Sequence, residues 1–226
     1  MTPNIPSSPC RHRHPAGFTL IEVLMSVGII ALLAALVFPV LTRTVESSRT
    51  AKCASHLREI GKGLFAFAAD HDGTLPPAKD NTKLWPDRTF MFQVGSYLDD
   101  GPATTTAEKN KRCFDGVFRC PGKKDWNLAG PTDRQKTSYG MNTFNPNVIP
   151  SEGKRLASIE NPSATLLVAD VEINGDIALR NAHYMYRDFK ALRHQNRDNV
   201  LFCDGHVEAL PVDSFHYQGG NGFLRK

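Results

Sequence analysis

Residues Phe18–Leu41 read FTLIEVLMSVGIIALLAALVFPVL, 24 positions carrying a single charge, Glu22. Wound as a helix, this stretch spans ~36 Å at ~1.5 Å per residue, more than the ~30 Å of a bilayer's hydrocarbon core. Nothing else in the 226 residues approaches it, so the chain is expected to cross a membrane once. Arg11 and Arg13 precede the run. Short basic segments stay on the cytoplasmic side, which puts everything after Leu41 on the far side. A cleaved secretory signal peptide also has a basic start and an apolar core. Two features argue against one here: the run is long, and the small residue Gly17 stands before it rather than after. Glu22 is a third, because a carboxylate at membrane depth is costly and marks a function or a partner.

Beyond Pro39 the helical pattern continues. Leu57, Ile60, Leu64 and Ala68 recur at three- and four-residue steps with Arg58, Glu59 and Lys62 between them, an amphipathic stripe. Asp70-His71-Asp72-Gly73 and then Pro76-Pro77 end it, with Gly73 suited to a left-handed cap. The sequence therefore predicts a membrane part at 18–41, behind a short N-terminal segment at 1–17, an amphipathic continuation at 42–72 and a head at 73–226. Asp70-x-Asp72 lacks the glycine and glutamate spacing of a calcium loop.

The head reads as short strands and tight turns. Thr165–Ala169 is an apolar run bounded by Asn161-Pro162 and Asp170, the pattern of a buried strand. Cys113–Phe118 and Asn199–Leu210 each hold Asp-Gly between apolar flanks, a hairpin signal. With Asp204-Gly205 as a two-residue turn, Phe202 faces Val207 and Val200 faces Ala209, giving one apolar face. His194 is expected to fold back and hydrogen-bond that turn. The fold class is α+β: a long helix packed on a small antiparallel sheet.

Gly17-Phe18-Thr19-Leu20-Ile21-Glu22 resembles the prepilin processing motif of type IV pilins and type II secretion pseudopilins. Counted from Phe18, Glu22 is the fifth residue and Pro39 the twenty-second, both in register with that family. The resemblance implies cleavage after Gly17 and N-methylation of Phe18 by a prepilin peptidase. It implies that Glu22 pairs with the terminal ammonium of a neighbouring subunit, while Pro39 loosens the helix. The implied partners are other pilin or pseudopilin subunits and an inner-membrane assembly platform, with the head in the periplasm. His194, nine residues, then Asp204-Gly205 is similar to the H-x9-DG motif near the C-terminus of one group of prepilin-processed proteins; Cys203 departs from the small residue expected there. Cys53-x3-Leu57-Arg58, Phe118-Arg119-Cys120-Pro121 and Ser138–Asn142 also look like segments of that group.

An oxidising compartment makes a disulfide among Cys53, Cys113, Cys120 and Cys203 expected. Across an Asp115-Gly116 hairpin, Cys113 and Cys120 would be diagonal neighbours ~7–8 Å apart, at or beyond the limit for bridging. Cys53–Cys120, the two family-like cysteines, is the expected pair.

The leading function is a structural filament subunit without a catalytic centre or cofactor; Gly-x-Ser-x-Gly, His-Glu-x-x-His and phosphate-loop motifs are all absent. Without Met1–Gly17 the chain holds 25 basic and 23 acidic residues, a balance of +2 with no basic run, so nucleic acid is not an expected partner. The rival reading is a membrane-anchored periplasmic metal-binding protein or metalloenzyme. His183, His194, Cys203, Asp204 and His206 crowd into 24 residues, with His194, Asp204 and His206 the candidate ligands. Histidines beside Asp-Gly turns are more often hydrogen-bonded structure, so no metal site is assigned. A third reading, a ligand-reading tip subunit, has no support in charge or tryptophan content.

Overall fold

The computed structural model describes residues 19–78, 80, 82–84, 87, 89–98, 104–122, 138–142, 153–171, 193–211, 214–217 and 223–225. Gly17, Phe18 and His183 lie outside the described residues. The chain divides into two compact units, Met1–Arg43 and Thr44–Lys226. Helix α1 (Leu20–Asp70) begins in the first and ends in the second.

In the first unit every large apolar residue of α1 is exposed, from Leu20 at 79% to Phe38 at 72%. Among the described residues, α1 is the one helix long and apolar enough to cross a membrane. A contiguous apolar surface of this kind needs lipid or another subunit around it. Pro39 sits inside the helix and cannot donate to the Ala35 carbonyl, while the Thr42 hydroxyl donates to the Pro39 carbonyl at 3.0 Å.

The second unit is α+β. The rest of α1 buries Cys53, Leu57, Ile60, Gly61, Leu64 and Ala68 along one stripe, with Arg58 and Lys62 exposed between them. Each fully buried Leu or Ile contributes ~1.5–3 kcal/mol. The helix ends in a Schellman-type closure, with the Gly73 N–H donating to the Ala68 carbonyl at 2.8 Å. Asp72, at φ 51°, takes the left-handed position one residue before the expected Gly73, and Gly73 follows at φ 74°.

Four antiparallel strands form the main sheet in the order β1 (Tyr139–Met141), β2 (Leu166–Asp170), β3 (Arg197–Phe202) and β4 (Val207–Pro211). Strands β5 (Phe215–Tyr217) and β6 (Phe223–Arg225) pair separately. All five residues of β2 are buried. Leu201 of β3 packs on Gly61 of α1, where an added Cβ would lie 3.2 Å from its methyls. Two short helices precede the sheet, α2 (Phe90–Gly95) and α3 (Thr106–Phe114).

The structure corrects three expectations. The β3–β4 loop is Cys203-Asp204-Gly205, not Asp204-Gly205 alone: the Phe202 N–H donates to the His206 carbonyl, and Leu201 pairs with Val207. A two-residue type I′ turn needs positive φ at both central residues, and only Gly205 has it, at +93°. The chain therefore adopts the three-residue loop that ends on a left-handed glycine. The slip of one residue places Val200 opposite Glu208 and Leu201 beside Val207, so the expected face of Val200, Phe202, Val207 and Ala209 does not form. Val200 and Phe202 are nonetheless buried.

The second correction is at Cys113–Phe118, which is no hairpin. Cys113 lies in α3, and Gly116–Phe118 is a 3₁₀ turn capped by Asp115. The diagonal geometry expected for Cys113 and Cys120 thus does not arise. The third concerns His194. Its ring turns to Cys120 and Thr50, while Asp204 pairs with His206 at 2.5 Å.

Candidate functional site

Two places among the described residues carry chemistry. At the tip of α1, Thr19 and Glu22 form a reciprocal capping box. The Glu22 N–H donates to Thr19 Oγ1 at 3.3 Å, and the Thr19 N–H and hydroxyl both donate to Glu22 Oε2 at 2.9 Å. First-turn N–H groups have no helical partner, so this exchange satisfies donors that lipid cannot. It also holds the carboxylate at the very start of the apolar helix.

The other place is inside the second unit. Cys53 of α1, Cys120 after the 3₁₀ turn, Asp170 at the end of β2 and His194 just before β3 converge, with one ligand atom from each lying within 4.8 Å of all the others. All four are buried. Cys53 Sγ lies 3.2 Å from Asp170 Oδ1, Cys120 Sγ 3.3 Å from His194 Nε2, and His194 Nε2 3.4 Å from Asp170 Oδ2. Around them stand further polar partners. The Tyr139 hydroxyl donates to Cys53 Sγ at 3.4 Å, and the Asn199 N–H donates to Asp170 Oδ2 at 3.0 Å. Arg193, itself buried, has Nη1 3.9 Å from Asp170 Oδ1, and its other nitrogen donates to the Val171 carbonyl.

The hydrogen-bond pattern sets the histidine's tautomer. Thr50 has one hydroxyl proton, and it goes to the Glu46 carbonyl at 3.0 Å. Thr50 Oγ1 therefore accepts from His194 Nδ1 at 3.2 Å, so Nδ1 carries a proton and Nε2 is the atom aimed into the cluster. Gly122 makes room for this ring: a Cβ there would sit 2.8 Å from His194 Cε1.

Burial pushes the Cys53 thiol well up, with its hydrogen bond to Cys120 adding to the effect. That same bond holds Cys120 below the usual thiol range, helped by His194 and Arg193 against burial. Burial and then the charge of Cys120 raise the Asp170 carboxyl to about 6. For His194, burial acts downward but is outweighed by Cys120 and Asp170, so its pKa is raised. Four buried ligand atoms this close together can hold a small ion, and the two sulfurs can hold a bond between them.

Of the residues singled out in the sequence, His194, Cys53 and Cys120 come together here, the two cysteines as free thiols. Asp204 and His206 do not join them: they pair with each other at the exposed turn, where the His206 ring stacks on Phe202 at 4.3 Å. Cys203 is buried elsewhere, its thiol toward the Leu166 carbonyl at 3.8 Å. Asp170, read in the sequence only as the end of a strand, was missed. Its sole signal is an acidic residue closing an apolar run.

Residues 12–38 match the model of the prokaryotic N-terminal methylation motif. The chain carries a prepilin-type N-terminus. A pilin-type protein anchored by its apolar N-terminal helix accords with this motif, with the exposed apolar surface of α1 and with the α+β second unit. No curated protein and no solved structure matches the chain.

Proposed function

We propose that this chain is a pseudopilin: a filament subunit of a type II secretion or type IV pilus-like machine, anchored in the inner membrane before assembly with its head in the periplasm. The observation that carries the reading is the methylation motif at residues 12–38, set on a helix whose apolar face has no cover within its own unit. A prepilin peptidase would cut after Gly17 and methylate Phe18. Subunits would then be drawn from the membrane by an assembly platform and packed so that each apolar helix is covered by others. Glu22 has the place and the charge to meet the new ammonium of a neighbouring Phe18. In apolar surroundings that pair would be strongly favoured over either charge alone.

Intact mass of the membrane-extracted protein should show loss of Met1–Gly17 and gain of one methyl group. A mature chain beginning after Ala34 or Ala35 would instead mean signal-peptidase cleavage and end the pseudopilin reading. Glu22→Ala should be processed and inserted like wild type yet absent from sheared filaments. Normal filaments from that variant would remove the proposed pairing.

A further inference from the structure

We infer that Cys53, Cys120, Asp170 and His194 form a closed structural site for one zinc-class divalent cation inside the head, tying α1 to the sheet. Zinc takes sulfur at ~2.3 Å, imidazole nitrogen at ~2.0–2.1 Å and carboxylate oxygen at ~2.0–2.2 Å in tetrahedral sites. Those radii place neighbouring ligand atoms roughly 3.4–3.8 Å apart across a tetrahedral edge. Cys53 Sγ to Asp170 Oδ2 and His194 Nε2 to Asp170 Oδ2 are both 3.4 Å, and Cys120 Sγ to His194 Nε2 is 3.3 Å. Three of the tetrahedron's six edges thus already stand near their bound lengths, and the remaining separations fall within 4.8 Å.

Three further observations support an ion over a mere hydrogen-bonded knot. The first is charge. As metal ligands the two sulfurs are thiolates, and with the Asp170 carboxylate they bring three negative charges into a dry interior, which need matching positive charge there. A divalent cation together with the buried Arg193 guanidinium cancels them. The second is orientation: Nδ1 donates to Thr50, with Glu46 Oε1 3.8 Å away, so Nε2 is the ring atom that faces the other three ligands. An imidazole fixed through its far nitrogen is the arrangement metal-binding histidines use. Glu46 Oε1 is buried with no hydrogen-bond partner, which suits an acceptor waiting on the outer side of a cationic site. The third is burial: all four ligands come from the protein and all four are buried, as in sites of the structural kind. This inference does not depend on the filament reading.

A disulfide between Cys53 and Cys120 is the competing outcome, and the two differ in mass, thiol count and metal content. The full chain, extracted in detergent and purified without a metal-affinity step, is analysed for transition metals and titrated for thiols after denaturation with chelator. One zinc per chain, with Cys53 and Cys120 both titrating as thiols, is expected. Cys53→Ser, Asp170→Asn and His194→Gln should each lose the ion, while Cys113→Ser, a buried cysteine outside the set, keeps it. Thr50→Val should weaken zinc binding about 10–100-fold, the effect usual for a lost outer partner. Should the ligand variants fail to fold, the wild-type chain stripped and reloaded with cobalt(II) alone still decides. Tetrahedral ligand-field bands with sulfur-to-cobalt charge transfer support the site. A mass lower by two hydrogens with Cys53–Cys120 linked in peptide maps overturns it, and so does a reduced chain that takes up neither zinc nor cobalt.

Discussion

Gly205 stands at φ +93° at the end of the β3–β4 loop, with Phe65 of α1 3.2 Å from where a Cβ would be. A β-branched residue has to adopt a left-handed backbone there and push an aromatic ring as well. Gly205→Val is expected to lower the stability of the second unit by at least ~1 kcal/mol, read as a fall in chemical-denaturation midpoint. An unchanged midpoint would mean the loop re-forms at no cost. The same turn shows what single residues disclose in sequence. Asp-Gly announced a hairpin correctly, but its length depends on the φ of Asp204, which aspartate's identity leaves open. His194 likewise is legible as a residue with a structural task, but not its partners, since Thr50 and Cys120 lie 144 and 74 positions away and meet it only through packing.

Helix α3 shows the same at the scale of elements. The Asp-Gly within Cys113–Phe118 is a hairpin signal, yet the deciding signal lies upstream. Thr105 accepts from the Glu108 N–H at 3.2 Å, and Glu108 Oε2 accepts from the Thr104 and Thr105 N–H groups at 2.9 Å. The capping box at Thr105 and Glu108 commits the chain to a helix, which then absorbs Cys113. The long helix was easier, because its period repeats over many turns and its stripe of Leu57, Ile60 and Leu64 is unambiguous. The backbone N–H bonds of Thr105 and Thr104 hold the exposed Glu108 carboxyl down to about 2, against an ordinary 4.5. A depressed carboxyl stabilises the fold above its unfolded value and ceases to as it protonates. The contribution of this cap is therefore full above about pH 4.5 and fades as pH falls toward 2. Nuclear magnetic resonance titration should find Glu108 among the most acidic side chains of the head, and Glu108→Gln should flatten the acid limb of the stability profile. A Glu108 titrating at its ordinary value would mean the box is not populated.

For the whole molecule, the division at Arg43 and Thr44 separates two solvents' worth of sequence. Among the described residues, the exposed large apolar residues apart from Leu84 all lie between Leu20 and Val45, whereas the buried core begins at Cys53. Removing residues 1–43 therefore takes away nearly all the surface that requires lipid and none of the core. What remains of α1 does not depend on its own length for stability, since isolated helices are marginal and this one is held by Leu57, Ile60 and Leu64 against the sheet. A chain starting at Thr44 is accordingly expected to be soluble without detergent, to sediment as a monomer and to melt in one cooperative step. The full chain in the same buffer should aggregate or require micelles. The fragment also retains Cys53, Cys120, Asp170 and His194, so its melting temperature should fall on adding chelator by the same amount as that of the full chain in detergent. Sedimentation and calorimetry of the two side by side decide the matter. A fragment that aggregates, or melts without a cooperative transition, would show that the apolar helix is part of the head's own fold rather than its anchor.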